Sequence, residues 1–333
     1  MDEKQSSGGD GGWLGAVWRQ YQERRASEEV LRQATEQVVE TADPTIRQAR
    51  GYRKVLRTPV AGSMDYFRSL IDKLPGPVSL SRGSYHADPL VKALFASPDE
   101  LEEVLRINPE TTKLREQGLN GEVVAMMTML KQEKTVFGYQ QEGEIIRRDV
   151  AQRAVSFFDH RIVAPSSELE QTRDGIVNRG LEVLATVAME GITTVRSKKA
   201  GLREKREYLK GILKILGGKS HVMKMFATPD PEQLEEYRKA ERVLAEVELE
   251  LEGLRDRMAV PEHFLDHLQG IMREPDKHLV VRDQSFRLNW MGVRVEDQPE
   301  SEGHDITLGE FSVHDEIRRS AVLVRFALGS GEY

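Results

Sequence analysis

From Leu181 to Leu216 an apolar residue returns every seven positions without a break: Leu181, Ala188, Val195, Leu202, Leu209 and Leu216. A seven-residue repeat keeps one helical face apolar over many turns, and that face has to be covered by another helix. A second stretch repeats the pattern, with Tyr237, Leu244, Leu251 and Met258 on one track and Ala240, Val247 and Leu254 on its companion. The two are joined by a short linker, so the spacing predicts an antiparallel helical hairpin over residues 166–258. Gly217-Gly218 reads as the end of the first helix, since glycine readily takes the left-handed conformation of a helix C-terminus. Asp230 before Pro231 reads as the cap of the second. At 1.5 Å per residue the arms would be about 70 Å and about 40 Å long.

Charge supports the pairing. Residues 196–214 carry Arg196, Lys198, Lys199, Arg203, Lys205, Arg206, Lys210 and Lys214 against Glu204 and Glu207. Residues 232–252 carry eight glutamates against Arg238, Lys239 and Arg242. Folding at the linker brings the basic arm beside the acidic one. Each exposed pair contributes only about 0.3–0.5 kcal/mol, so the charges set register and partner choice more than stability. The companion track of the first helix runs Leu184, Gly191, Lys198, Lys205, Ile212. Lysines in a seam leave it open to solvent or to another chain. Lys198 and Lys205 on one arm and Glu241 on the other are therefore the candidate partner-binding residues.

Upstream, helix starts are marked by a capping residue followed by proline: Asp88-Pro89, Ser97-Pro98 and Asn108-Pro109. Ser97 with Glu100 and Ser167 with Glu170 have capping-box spacing. With the apolar periodicity these predict helices over residues 13–132, broken at Pro44, Pro59 and the stretch 74–86. Thr135, Phe137, Tyr139 and Gln141 alternate with smaller or polar residues before Glu142-Gly143, which predicts a small antiparallel ribbon near 134–164. Residues 150–160 can be written as strand or as helix. Beyond Val260 a short helix precedes strand candidates at 279–282, 286–295, 306–313 and 320–328, with an acidic loop over 296–305. Phe286, Leu288 and Trp290 alternate with Arg287 and Asn289, the pattern of a half-buried strand. The expected fold is α+β and predominantly helical. Its parts are a leader at 1–12, a helix-rich domain with the ribbon at 13–165, the hairpin at 166–258 and a small antiparallel β module at 259–333.

Composition fits that reading. Charged residues make up 31% of the 333 residues, above the usual ~25%, as helices with much exposed surface require. The balance of 48 basic and 55 acidic residues leaves a net charge of −7. The absence of cysteine excludes a disulfide framework, a cysteine-ligated zinc or iron–sulfur site and thiol chemistry. The N-terminus has neither the basic start nor the apolar run of a secretory signal, and no segment reaches the ~18–20 apolar residues of a spanning helix. A cytoplasmic location is expected. Trp13, Leu14, Val17, Trp18 and Tyr21 fall on one helical face, which can dock on protein or rest peripherally on a membrane through Trp13 and Trp18. The surrounding glutamates favour protein.

Three strings carry possible chemistry. In His263-Phe264-Leu265-Asp266-His267 the two histidines at i and i+4 share a face, and the pattern resembles the inverted metallopeptidase motif H-x-x-E-H. That resemblance implies zinc on His263 and His267, with Asp266 as base, in a metal-dependent hydrolase. The plainer reading is a packing helix with an apolar stripe of Phe264, Leu265, Leu268, Ile271 and Met272. Arg47, Arg50, Arg53, Lys54 and Arg57 form a basic stripe with no acidic residue from Pro44 to Met64. Such a stripe suits nucleic-acid phosphates, or an acidic stretch of the same chain such as 232–252. Ser81 to Asp88 gathers polar groups in what reads as a loop, and Asp159-His160 beside Arg161 and Arg153 reads as a structural salt bridge. No phosphate-binding glycine motif occurs. The leading expectation is a non-enzymatic interaction or scaffold protein that needs no cofactor and binds a protein partner, or itself, through the hairpin.

Overall fold

The computed structural model describes residues 11–142, 145–226, 231–255, 258–295, 303–313 and 317–329. The fold is mixed α+β and predominantly helical. The chain groups into two compact units, each made of two stretches: Met1–Pro59 with Ala185–Ile271, and Val60–Leu184 with Met272–Tyr333.

The second unit holds a six-stranded sheet. Its strands are β1 (Val78–Ser79), β2 (Gly121–Glu142), β3 (Ile145–Ser166), β4 (Leu279–Leu288), β5 (His304–Val313) and β6 (Ile317–Leu328). The order is β3-β2-β6-β5-β4, antiparallel throughout, with short β1 adding to β6 in parallel. β2 is buried at every residue from Val123 to Met129, as a strand covered on both faces is. Beyond the last β6 pairing at Met129, β2 runs on with β3 alone as a two-stranded ribbon. The two outer strands meet through the segment after β4. Val155 N donates to Gly292 O (2.8 Å), Arg294 N donates to Arg153 O (2.8 Å), and Ala154 bridges Val293. Neither edge there is left as an open row of donors and acceptors.

One core covers this sheet's inner face. It joins Val123, Ala125, Met127 and Met129 of β2 to Phe286, Ile306, Val322 and Val324. Leu80 and the helices α4 (Pro89–Leu94) and α5 (Pro98–Ile107) close it through Val91, Leu94, Phe95 and Leu101. The capping residues act as their spacing predicts. Asp88, Ser97 and Asn108 accept hydrogen bonds from the amides of Leu90, Glu100 and Glu110, the last at the start of α6 (Pro109–Glu116).

Several expectations are corrected here. Residues 121–132 are strand, not helix. The ribbon is a 22-residue hairpin on each side, and it shares one sheet with the C-terminal strands. Residues 289–295 are a turn that follows a continuous β4, and of the two readings open for 150–160 the strand is the one observed. The stretch at 81–88 is no loop but the short helix α3 (Arg82–Ala87), capped by Ser81, whose hydroxyl accepts from Ser84 N. Finally, α7 (Leu169–Phe226) continues through Gly217-Gly218. Packing explains that continuation. A Cβ at Gly217 would lie 3.7 Å from the Tyr237 ring, so the helix is still in contact with its partner there, and contact outweighs the ~1 kcal/mol that glycine costs a helix. Asp230 lies outside the described residues.

The first unit is helical. It contains α1 (Gly11–Ala42), a 3-10 turn at Pro44–Gln48, the start of α2 (Tyr52–Ile71), the later part of α7, α8 (Pro231–Gly253) and most of α9 (Pro261–Arg273). Its polar anchor is Asp43, which is 6% exposed. The carboxylate accepts from Thr45 N (2.8 Å) and the Thr45 hydroxyl, and Arg196 Nη1 lies 2.5 Å away. Burial alone would push this carboxyl up. The Thr45 and Arg196 hydrogen bonds outweigh burial and hold it below the usual carboxylate range. The same Arg196 guanidinium lies 4.5 Å from the Phe264 ring centre, so one cation ties the 3-10 turn, α7 and α9 together.

Candidate functional site

α7 and α8 lie antiparallel, as the heptads require. Lys198 Nζ lies 2.6 Å from Glu250 Oε1, Lys210 Nζ 3.5 Å from Glu248 Oε1, and Lys199 Nζ donates to Arg255 O at 3.2 Å. Between the helices Leu209, Val247 and Leu254 are buried, with Val195, Leu202, Tyr237, Leu244 and Leu251 partly so. Of the seam residues, Lys198 is drawn into the pair with Glu250, while Lys205 and Glu241 stay exposed.

The heptad tracks do not account for a second set of apolar residues on the same helices. Tyr208 is 68% exposed and Ile215 60%. With Lys205 and Ile212 they fall at i, i+3, i+7 and i+10, one face of α7 beside the buried track. On α8, Glu241, Ala245 and Leu249 fall at i, i+4 and i+8, and Leu249 is 76% exposed. Leu234, seven residues before Glu241, is 41% exposed. The signal that could have found these residues is the 3–4 spacing of Tyr208, Ile212 and Ile215 next to Lys205. The stronger seven-residue repeat masked it.

The basic stripe docks on its own chain, on α1 rather than on 232–252. Arg47 pairs with Glu40 (2.6 Å) and Glu36 (3.4 Å), Arg53 with Glu36 (2.6 Å), and Arg57 with Glu28 (3.0 Å). Tyr52 donates its hydroxyl to Glu36 at 2.8 Å. Burial pushes the Glu36 carboxyl up, but its bonds from Arg53 and Tyr52 outweigh that and hold it low. Arg50 and Lys54 remain exposed. Three of the five cations face carboxylates of α1, and the side chains of Arg53 and Arg57 stay 61% exposed.

The two histidines of α9 point to different neighbours. His263 Nδ1 accepts from Ala259 N (3.3 Å), a cap-like bond before the helix. His267 Nε2 is buried with no hydrogen-bond partner and packs on the backbone of Gly191 in α7, where an added Cβ would come within 2.5 Å. Asp266 is exposed. Among the described residues no three metal-ligating side chains gather. Near the sheet, Asp159 pairs with Arg319 (2.7 Å) and Arg161 (3.2 Å), while His160 stacks on Phe95 with ring centres 4.6 Å apart. The side chains of Trp13 and Trp18 lie outside the described residues, and no described helix is long and apolar enough to cross a membrane.

Compared with protein-family models, with curated proteins and with solved structures, the chain matches none.

Proposed function

We propose that this chain is a non-enzymatic interaction protein that self-associates through its helical hairpin. The supporting observation is the set of apolar residues left in water outside the hairpin's buried track, Tyr208 and Ile215 on α7 and Leu249 on α8, with half-buried Ile212 beside the first two. Large apolar side chains exposed at helical spacing are the kind of surface a partner covers.

Charge favours a second copy as that partner. The α7 face carries Lys205 within the basic arm, and the α8 face carries Glu241 within the acidic arm. Two copies packed α7 against α8 bring opposite signs together twice by symmetry, whereas α7 on α7 would oppose like charges. The apolar residues then supply affinity and the charges choose the pairing.

Light scattering on the full chain across a concentration series tests this. The expected result is a dimer that Tyr208→Glu with Ile215→Glu converts to monomer. Lys205→Glu alone and Glu241→Lys alone should each weaken association, and the two together should restore it. A chain that stays monomeric at every concentration overturns the proposal, as does a dimer indifferent to all four substitutions.

A further inference from the structure

The second unit carries a cleft of about 480 Å³ between α3, α4 and the turn that joins the outer strands. Its floor is core surface, from Phe95, Phe157, Leu288 and Ile306. Its rim is built from His86, Lys92, Trp290, Met291 and His304. Two properties of that rim need a cause beyond folding.

The first is Trp290, which is 72% exposed beside Met291 at 58%. These residues do not sit on a loose loop. Asn289 Oδ1 accepts from Met291 N (2.9 Å) and Val293 N (3.0 Å), Asn289 N donates to Val293 O (2.9 Å), and Gly292 N donates to Asn289 O (3.0 Å). Gly292 has φ +75, which disfavours a side chain, and its carbonyl is held by Val155 N. A backbone fixed this fully, holding an indole in water, forgoes the roughly 1.5–3 kcal/mol that burying a large apolar side chain contributes. The turn that carries the indole is already ordered in the free protein, which lowers the cost of offering it to a flat apolar group.

The second is the set of polar groups around it. Lys92 brings an ammonium group to the cleft and His86 and His304 bring imidazole nitrogens, while the Asp88 carboxylate turns to its own helix, accepting from Leu90 N at 2.8 Å. His86 is seated edge-on against Tyr85, 5.4 Å between ring centres, and Tyr85 donates its hydroxyl to Ala96 O at 3.0 Å. The floor is pinned in turn, since Phe95 stacks on His160, whose Nε2–H donates to Leu94 O at 2.8 Å. An apolar floor, an exposed indole and a rim with a lysine and two imidazoles are complementary to a planar ring that bears an acid group. The volume lies in the range of small-ligand sites.

We infer that this cleft binds a small anionic aromatic molecule, its ring against Trp290 and its acid group on Lys92, flanked by His86 and His304. The site is separate from the hairpin and stands or falls independently of self-association.

The test is NMR titration of the full-length, nitrogen-15-labelled chain, following the Trp290 indole N–H, one of three in the sequence, assigned by its loss in Trp290→Phe. The probes are adenosine 5′-monophosphate and benzoate, which distinguish a phosphate from a carboxylate, each beside its uncharged counterpart, adenosine and benzamide. The expected result is a saturable shift with at least one acid and at least tenfold weaker binding of its neutral partner. Lys92→Glu, read on the indole N–H, and Trp290→Ala, read on the backbone amides of Met291 and Gly292, both at exposed positions, should each weaken that acid at least tenfold while the remaining spectrum stays that of the folded chain. No saturable shift with either acid, equal binding of acid and neutral forms, or binding unchanged in Lys92→Glu would each overturn the assignment.

Discussion

His267 and His160 are both imidazoles that burial keeps neutral, and they differ in what surrounds the ring. Burial pushes each below the ordinary histidine value of 6.5. His160 still donates to Leu94 O, whereas the buried Nε2 of His267 faces Gly191 with no partner. An unsatisfied buried nitrogen costs about 1–3 kcal/mol, and an apolar side chain of similar size avoids that cost. His267→Leu should therefore raise the melting temperature by about 2–4 °C at neutral pH. The pH dependence follows from the same depression. The unfolded chain takes up a proton near pH 6.5 while the folded histidine stays neutral. Its contribution is thus complete above that value and is lost as pH falls toward the depressed folded value. The wild-type chain should lose stability below about pH 6.5, and His267→Leu should lose less. Calorimetry of both proteins at neutral and mildly acid pH checks it. A variant less stable at neutral pH would show that the imidazole has a role packing does not explain.

At the level of elements, Gly191 sets how closely α7 lies to α9. A Cβ there meets His267 Nε2 at 2.5 Å and Cε1 at 3.1 Å. In an open helix, alanine for glycine stabilises by about 1 kcal/mol. In this context the collision should dominate, so Gly191→Ala is expected to destabilise by about 1–2 kcal/mol. In a His267→Ala background the same substitution should become stabilising, and a double-mutant cycle on thermal or denaturant melts reads that change of sign. This contact also explains part of what the sequence concealed. Gly191 is visible in the companion track and His267 in the i, i+4 pair, but nothing local tells that each exists for the other. The caps at Asp88, Ser97 and Asn108 were legible because their physics spans three residues. The hairpin was legible because its apolar repeat is long. Residues 122–130 were not, since a strand buried on both faces loses its period-2 alternation, and Ala125, Met126, Met127, Met129 and Leu130 are good helix formers. The outward face with Tyr208 and Ile215 was legible in spacing and overshadowed by the heptad. Trp290 was read as part of a strand, and the turn that exposes it became apparent only with the hydrogen bonds of Asn289.

For the whole molecule the decisive fact is that the sheet is assembled from distant parts of the chain. β2 pairs on one side with β3, its neighbour in sequence, and on the other with β6, from Gly121↔Leu328 to Met129↔Ser320. The core draws on both parts. Val123, Ala125, Met127 and Met129 pack in one cluster with Phe286, Ile306, Leu308, Val322, Val324 and Phe326. Without β2, strand β6 would present its ladder edge and a buried run, Ser320 to Val324, to water. A fragment spanning 259–333 should then lack the apolar cover that stability demands, as sheets of three strands with one uncovered face rarely stand alone. It is expected to be aggregated or unfolded, with no cooperative melt and no dispersed amide spectrum. Co-expression with residues 60–184, which supply β1, β2, β3 and helices α3 to α6, should recover a soluble complex of the two pieces. A fragment 259–333 that folds alone with protected β6 amides would show that the C-terminal strands are an independent module. Because the second unit closes only when its last strand arrives, its topology also requires that unit to complete folding late, after the chain between 185 and 271 has been made.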